Sequence, residues 1–408
     1  SESFGIRNVY QTEIIVEYLN LLYNDMKELG IAHPYLALGL NTILIALFFI
    51  QLYYYLSVYG SLPHFRNNRG IRKDIPTPPI SVIIVIRENS YYFIEETLPL
   101  LLQQQYDAFE IVLVDCSFDE EIAEILAEKK AQYPDQLHVT RFKQQLQHEH
   151  SIKLALTVGI KAARYEHLLF TTPDCVPASD RWIALMAKGF ISGDIVIGYC
   201  GIEQKKGLSN RWIRCSRFIS SVRYLSSAVR GYTYRGTLYN IGYTKSLYFG
   251  NKGFTHLNMN LGVDDLFIQK VAHSDNVSVI MNPNASVRQF QYGGIGWWYA
   301  LCKYLGYAYR YYPGKAKRAL RSELVFRFLF FGSVVGAIIV LPLIWKAIPL
   351  FFLLLRLLFV ELTLRKVGKR LGEHKFLGTY ILFDLWAPIG GLVVEINRMF
   401  GRNKAIWH

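Results

Sequence analysis

A single carboxylate stands just beyond an apolar run, in the stretch FTTPDCVPASDRW (170–182). Asp174 lies there in a turn bounded by Pro173 and Pro177. An aspartate delivered at a sheet edge in this way can bind a divalent cation, and such a cation can bridge a diphosphate. These cations usually take more oxygen ligands than one carboxylate supplies. The stretch therefore predicts either a metal-and-phosphate site or what remains of one after a carboxylate was lost.

Alternating strands and helices are predicted to position this aspartate. The run SVIIVI at 81–86 is continuously apolar and β-branched, as in a strand buried within a parallel sheet. Polar residues follow the strand ends, which indicates a ligand along one edge of a doubly wound α/β sheet. The predicted strands are 81–86, 110–114, 137–140 and 167–171, and the predicted helices are 93–104, 120–132 and 153–163.

The distribution of apolar residues predicts a soluble domain held between membrane segments. The chain has 408 residues and is 51% hydrophobic, and its longest apolar runs lie near Leu36–Tyr59 and from Val325 onward. A helix of about 20 apolar residues crosses a bilayer core, so we predict spans at 36–59, 325–345 and 349–364. Arg356 and Glu361 lie inside the last of these.

Six segments follow from this distribution. The last one contains Asp384 and has basic residues on both flanks, which favours a re-entrant or interface-lying helix over a crossing one. The predicted segments are an amphipathic N-terminal helix (1–33), a transmembrane helix (34–60), a soluble domain (77–295), an interfacial aromatic and basic helix (296–323), a transmembrane pair (324–364) and the re-entrant or interfacial helix (375–398).

Charge and cysteine usage narrow the function classes. The net charge is +13, and the basic residues cluster beside the apolar runs, as in Arg66–Lys73. This favours a membrane lipid surface over a nucleic-acid groove, and the positive-inside rule places the soluble domain in the cytoplasm. Five scattered cysteines without a C-x-x-C pair argue against a zinc knuckle or disulfide framework and fit a reducing compartment. We expect no signal peptide before the first apolar run.

The order and spacing of five motifs resemble membrane-bound glycosyltransferases of family 2, of the Bacteroidetes type, with a Rossmann-like GT-A domain. The resemblance implies an inverting transfer of a sugar from a nucleotide-diphosphate sugar, with Mn²⁺ or Mg²⁺, to a lipid-linked or surface-glycan acceptor. It implies a location in the bacterial inner membrane. The motifs are PPISVIIVIREN (78–89), FEIVLVDCSFDEE (109–121), KLALTVGIKAARYEHLLFTTPDCVPASDRW (153–182), YNIGYTKSLYFGNKGF (239–254) and GVDDLF (262–267).

The resemblance also implies roles for individual residues. Each has a plainer alternative: a turn or capping carboxylate for the acids, a solvated lysine, or tryptophans at a membrane interface. The implied roles are nucleoside contacts from Glu88 and Asp115, a phosphate contact from Lys153, the metal ligand Asp174, the catalytic base Asp265 with Asp264 before it, and acceptor or interface contacts from Trp297, Trp298 and Asn240.

Several positions depart from the family pattern, and three of the departures remove charge or hydrogen bonding. Thr172 stands where the first acid of a D-x-D motif is expected, and Cys116 follows Asp115 where a second aspartate is usual. Glu88–Asn89 reverses the usual order. Leu301, Cys302 and Tyr304 occupy positions where a glutamine and an arginine are expected, with only Lys303 charged.

Two functions from different classes remain open after these departures. Losing one electrostatic contact in a site of this kind costs about 100- to 1000-fold in rate. The first hypothesis is an active glycosyltransferase, which Asp174, Lys153 and Asp265 favour. The alternative is a catalytically degenerate scaffold or subunit of a membrane-protein complex. A processive synthase is disfavoured because the predicted spans are few for a polymer channel.

Overall fold

The computed structural model describes residues 34–65, 76–87, 90–142, 151–254, 263–373 and 378–387, together with the positions 16–17, 20–21, 23–24, 376 and 390. The chain divides into two units. One comprises residues 1–57, 319–361 and 386–408, and the other comprises 58–318 and 362–385. Glu88 and most of the predicted N-terminal helix therefore lie outside the described residues, although the six positions described there are helical.

Three helices within the described ranges are long and apolar enough to cross a membrane. They cover Tyr35–His64, Gly314–Val340 and Ala347–Leu371. In the first unit they share an apolar core that includes Leu44, Phe48 and Phe330. A helix satisfies its own backbone hydrogen bonds, which is what an apolar segment needs in lipid. The sequence-based boundary at residue 323 falls inside the second helix, whose first turns carry the basic residues.

Arg356 is buried inside this apolar core. Its Nη2 donates a 2.9 Å hydrogen bond to Gln51 Oε1. Its guanidinium lies 5.5 Å from the ring centroid of Tyr55, 5.3 Å from that of Phe330 and 4.9 Å from that of Phe331. Aromatic faces attract a desolvated cation, so these contacts offset part of the cost of burying the charge.

The second unit is built on a mixed α/β sheet of seven strands in its described part, in the order β3-β2-β1-β4-β8-β6-β9. A smaller sheet has the order β5-β10-β7. The strands are β1 (Ile80–Ile86), β2 (Phe109–Asp115), β3 (Leu137–Arg141), β4 (His167–Phe170), β5 (Cys175–Pro177), β6 (Ile195–Ile197), β7 (Cys200–Ile202), β8 (Ile241–Thr244), β9 (Val277–Val279) and β10 (Val287–Gln289).

The first four strands confirm the predicted α/β fold class. β1 pairs in parallel with β2 and β4, and β2 pairs in parallel with β3. The predicted helix 120–132 is present as Glu120–Gln132, and the Asp119 side chain caps it by accepting from two backbone amides. The predicted helix 153–163 is Ser151–Ala162. The register places Ile86 beside Asp115, so the loops after both strands meet at one edge.

Beyond β4 the sheet departs from a fully parallel arrangement. β8 runs antiparallel to both β4 and β6. Strands β5 to β10 contain three or four residues each, too few to give a recognisable alternation in the sequence. Between β7 and β8 lies the helix Leu208–Val229, which buries Arg214 and Arg217. These arginines lie three residues apart and so share one helix face.

Glu373, just after the helix Ala347–Leu371, is bound inside the second unit. Its Oε2 contacts Arg214 Nη2 at 2.6 Å, and its Oε1 contacts Arg288 Nη1 and accepts from the Tyr199 hydroxyl at 2.9 Å. Its side chain is fully buried. The pairing ties the chain after the helix to β10, the strand that also carries Gln289.

The start of the predicted segment 375–398 packs against the same unit. Phe376 and Tyr380 are both buried, and their rings lie 5.9 Å and 5.5 Å from that of Phe218. Positions 379–387 are helical. The remainder of the segment, apart from residue 390, lies outside the described residues. Its re-entrant or interfacial character stays a prediction.

Candidate active site

Asp115 ends β2 at the edge where the sequence predicted a nucleoside contact. Ser117 donates to its Oδ1 from the backbone nitrogen at 2.9 Å and from the hydroxyl at 2.6 Å. Arg141 Nε lies 3.5 Å from Oδ2. These contacts are those of a turn carboxylate, the plainer alternative, and a nucleoside contact from Asp115 stays a prediction. Glu88, its predicted partner, lies outside the described residues.

Cys116 points into the protein interior. Its side chain belongs to a small apolar cluster with Val114 and Ala155. Burial raises the pKa of its thiol to about 11, although the positive charge of Arg87 acts in the other direction. The cysteine therefore packs in the apolar interior beneath the edge, where a charged carboxylate would be costly to bury.

Lys153 lies in the first turn of the helix Ser151–Ala162. Only 7% of the residue is exposed, and burial lowers the pKa of its ammonium group. The alternative of a solvated lysine is therefore wrong. A contact between Lys153 and phosphate remains a prediction.

Asp174 is held by two hydrogen-bond donors and connects to a buried arginine. The Thr172 hydroxyl donates to its Oδ1 at 2.5 Å, and Gln289 Nε2 donates to its Oδ2 at 2.6 Å. Gln289 Oε1 in turn accepts from Arg217 Nη2. Thr172 thus occupies the place of the missing acid and binds the remaining one. The sequence suggested neither Gln289 nor Arg217.

A divalent cation at Asp174 would find one protein carboxylate. Gln289 turns its amide nitrogen toward Asp174 because its oxygen is held by Arg217, so it offers the cation no oxygen. No group of three or more His, Cys, Asp or Glu side chains with metal-ligand spacing occurs among the described residues. Mg²⁺ is often bound by one or two carboxylates plus substrate phosphates. Asp174 fits that arrangement with the smallest number of protein carboxylates, which is one.

Asp265 is buried, with a different contact on each carboxylate oxygen. The Tyr312 hydroxyl donates to Oδ2 at 2.6 Å, and Arg235 Nε lies 3.5 Å from Oδ1. Burial raises the pKa of Asp265 to about 7, the charge of Asp264 adds to the rise, and Arg235 and Tyr312 oppose it. A carboxylate with a pKa near neutrality is suited to accept a proton at physiological pH.

Asp264 serves the neighbouring loop. Both acids lie in the first turn of the helix Val263–Val271. The backbone nitrogen of Leu238 donates to Asp264 Oδ2 at 3.0 Å, and burial raises the pKa of Asp264. This hydrogen bond fixes the approach to β8. Asp264 is thus engaged by the backbone of Leu238, whereas Asp265 contacts the side chains of Tyr312 and Arg235, and Asp265 stays the candidate base.

Two arginines supply positive charge near the helix on which the expected arginine is absent from the sequence. Burial raises the pKa of the Cys302 thiol, and the charges of Arg217 and Arg235 oppose this rise, so both lie near Cys302. Cys302 is on the helix Ile295–Tyr307, among the positions where the family resemblance implied a glutamine and an arginine. The cations come from a different part of the chain, the helix Leu208–Val229 and the loop after it.

Asn240 lies in the interior and has no contact of the predicted acceptor type. Its Oδ1 accepts from Trp182 Nε1 at 3.0 Å. Its Nδ2 donates to the carbonyl oxygens of Tyr199 and Ala285 at 3.0 and 2.9 Å. With 1% exposure, Asn240 joins β8 to its neighbours, and this corrects the prediction of an acceptor or interface contact.

Trp297 and Trp298 are both partly exposed at the start of the helix Ile295–Tyr307. Trp298 Nε1 donates to the Ser216 hydroxyl at 2.9 Å, and its ring lies 6.3 Å from that of Trp212. Trp298 therefore anchors this helix to Leu208–Val229. An acceptor contact from either tryptophan stays a prediction.

Comparison with known proteins agrees with this geometry. Residues 81–254 match the family model described as Glycosyl transferase family 2. The matched part contains Asp115, Lys153 and Asp174 but ends before Asp265. The match therefore supports a relationship of the first part of the soluble domain to glycosyltransferase family 2. The Bacteroidetes type stays a prediction. No curated protein sequence matches the chain.

A solved structure shares the fold at low sequence identity. The chain is similar to the mannosyltransferase PcManGT from Pyrobaculum calidifontis in complex with GDP-Man and Mn²⁺, with 17% identity and a TM-score of 0.50 over 85% of this chain and 99% of that one. GalNAc-T7 with UDP, GalNAc and Mn²⁺ matches at 13% identity and a TM-score of 0.40, over 53% and 45% of the two chains. S. aureus TarS 1-349 in complex with UDP-GlcNAc matches at 18% and 0.40, over 72% and 89%.

Proposed function

We propose that this protein is an inverting family 2 glycosyltransferase. It transfers a sugar from a nucleotide-diphosphate sugar to a lipid-linked or surface-glycan acceptor, at the cytoplasmic face of a bacterial inner membrane. The observation that carries the proposal is the buried Asp265, whose carboxylate has a pKa of about 7 and is held by Tyr312 and Arg235. The family match upstream of it supports the donor class.

Asp265 supplies the general base of the proposed reaction. It takes the proton of the acceptor hydroxyl while that oxygen forms a bond to the anomeric carbon of the donor sugar. The bond from this carbon to the diphosphate breaks on the opposite face, which inverts the configuration. The diphosphate leaves with the bonding electron pair, and Asp265 then returns its proton to solvent. Because its pKa lies near 7, neither proton transfer is strongly unfavourable at neutral pH.

Positive side chains offset the charge of the departing diphosphate. Arg217 is buried, where electrostatic stabilisation is stronger than in water. Lys153 is proposed to approach the same phosphates. A Mn²⁺ or Mg²⁺ ion bound through Asp174 would supply further Lewis-acid stabilisation of the phosphate oxygens. Gln289 and Thr172 orient the Asp174 carboxylate for that purpose.

The membrane helices support the proposed topology. Basic residues flank the two C-terminal spans at the ends that continue into the soluble unit in sequence. By the positive-inside rule these ends face the cytoplasm. They are Lys315, Lys317 and Arg318 at the start of Gly314–Val340, and Lys366, Lys369 and Arg370 at the end of Ala347–Leu371.

Calorimetric titration of the detergent-purified protein with UDP, GDP and dTDP, with and without Mn²⁺, tests the donor proposal. We expect one nucleotide to bind more tightly with Mn²⁺ and Asp174→Ala to abolish that gain. Asp180→Asn is the matched control, because Asp180 is exposed and lies six residues further along. Absence of binding by protein shown to be folded would contradict the enzyme and favour the scaffold or subunit.

A further inference from the structure

Two buried polar atoms face each other without a hydrogen bond at the proposed base. Asp265 Oδ1 and Arg235 Nε are 3.5 Å apart, and neither has a hydrogen-bond partner among the described residues. Asp265 is 2% exposed, and the Arg235 side chain is 13% exposed. Buried polar atoms are nearly always hydrogen bonded in native proteins, so such a pair calls for a ligand.

The polar groups around this pair are already engaged, and a backbone hydrogen bond from Gly236 also reaches the Asp265 carboxylate. Tyr312 already occupies Asp265 Oδ2, and Asp264 is bound to the backbone of Leu238. Tyr234 packs beside Tyr312 with ring centroids 6.0 Å apart, so the phenol that holds Oδ2 is itself fixed. The acceptor atom Oδ1 and the donor group Nε–H therefore lie next to each other at the base, 3.5 Å apart.

The chemistry of the pair selects its ligand. A phosphate oxygen would accept from Arg235 but repel the Asp265 carboxylate, and a metal cation would bind the carboxylate but repel the guanidinium. A hydroxyl group is both a donor and an acceptor and satisfies the two atoms together. Water has the same capacity.

We propose that Arg235 Nε and Asp265 Oδ1 form the binding point of the hydroxyl group that receives the sugar. This inference rests on the proposed glycosyltransferase function. Arg235 donates a hydrogen bond to the hydroxyl oxygen, which leaves a lone pair for attack on the anomeric carbon, while the hydroxyl proton passes to Asp265 Oδ1. Arg235 is thus an acceptor-binding residue, although its charge alone would suggest a phosphate ligand.

Hydrolysis of nucleotide-diphosphate sugars tests the proposal without knowledge of the acceptor, because water then takes the place of the hydroxyl. The full-length protein is assayed with a panel of UDP, GDP and dTDP sugars. KM and kcat are measured separately, and Kd for the nucleoside diphosphate is measured by calorimetry. Arg235→Lys keeps a cation but loses Nε, and Arg235→Gln removes the charge. Arg230→Lys, at an exposed position in the same loop, is the control.

We expect kcat to fall on the order of 100-fold in both Arg235 variants, as for loss of one positioned donor, with Kd for the nucleoside diphosphate unchanged. Arg230→Lys should match the wild type. A Kd that weakens in parallel with kcat would overturn the inference, because Arg235 would then bind the diphosphate. An unchanged kcat would also overturn it.

The two possible failures are distinguishable. A wild-type protein that binds a donor but transfers its sugar neither to water nor to concentrated ethylene glycol contradicts the hydroxyl site and leaves the donor site standing. A folded wild-type protein that binds no donor contradicts the proposed function and this inference with it. Circular dichroism of each variant separates loss of the hydroxyl contact from loss of the fold.

Discussion

Tyr312→Phe should raise the pKa of Asp265. The substitution removes one hydroxyl and keeps a ring of similar size between Tyr234 and Tyr309, whose centroids lie 6.0 and 5.6 Å away. In the wild type, the hydrogen bond from Tyr312 favours the ionised carboxylate and so lowers the pKa of Asp265. The substitution removes this effect. Hydrogen bonds to charged groups contribute about 1.5–3 kcal/mol, which corresponds to a pKa change of about one to two units.

This magnitude fixes the expected pH profile. The pKa of Asp265 should move from about 7 to about 8–9. At pH 7 the ionised fraction then falls from about one half to about 1–10%, so kcat/KM should fall roughly 5- to 50-fold and recover at higher pH. Infrared titration of the protonated carboxyl band, assigned by its loss in Asp265→Asn, measures the same pKa without any substrate.

Two results would refute the reasoning. An infrared midpoint that stays in place or moves down would show that Tyr312 does not stabilise the ionised form. Activity that falls equally at every pH would show a packing role instead. Tyr309→Phe is the control, because that tyrosine packs against the Tyr312 ring at a centroid distance of 5.6 Å, and the hydrogen bond from Tyr312 to Asp265 remains in this variant.

Three further predictions follow from buried charge. Glu373→Gln breaks contacts to two arginines and should cost about 3–5 kcal/mol of stability, seen as a lower unfolding temperature, whereas Glu203→Gln at a half-exposed pair should cost under about 1 kcal/mol. Asp265 has a pKa raised from 3.8 to about 7, so its contribution to stability is largest below pH 4 and declines by about 4 kcal/mol as the pH rises through 7. Asp265→Asn should therefore flatten the stability curve between pH 4 and 7, and an unchanged slope would contradict the raised pKa. Asp174→Ala should make nucleotide affinity independent of Mn²⁺ while leaving its metal-free affinity within about threefold, and a residual Mn²⁺ effect would place the cation elsewhere.

The elements that could be predicted from the sequence are those with a local pattern of residue types. The run 82–86 is apolar at every position, which distinguishes a strand buried on both faces. Asp119 marks the start of the helix Glu120–Gln132 by capping it. Strands β5 to β10 were not predicted, because three or four residues are too few to show an alternation of apolar and polar positions. Asp384 and Glu373 are buried acids in a basic, apolar region, and their burial could not be read from composition.

The residues missed at the candidate site come from distant parts of the chain. Arg217, Arg235, Gln289 and Tyr312 reach Asp174 or Asp265 only through tertiary packing, so no spacing in the sequence joins them. The available signal was the spacing that places Arg214 and Arg217 on one face of the helix Leu208–Val229. For Asn240 the sequence suggested a ligand contact, but its polar side chain makes hydrogen bonds within the protein interior. Its amide nitrogen donates to two carbonyl groups.

The contact between Gln51 and Arg356 has a consequence for how the protein is made. An arginine within a membrane helix costs about 2.5–3.5 kcal/mol during insertion, so its helix is stabilised when a partner is already in place. The partner here precedes it by 305 residues. At about 5–20 residues per second, the ribosome needs roughly 15–60 s to cover that distance. The first helix must therefore already be inserted in the bilayer while the intervening soluble domain is synthesised. In a chain without the first helix, Arg356 would enter the membrane without the hydrogen bond to Gln51.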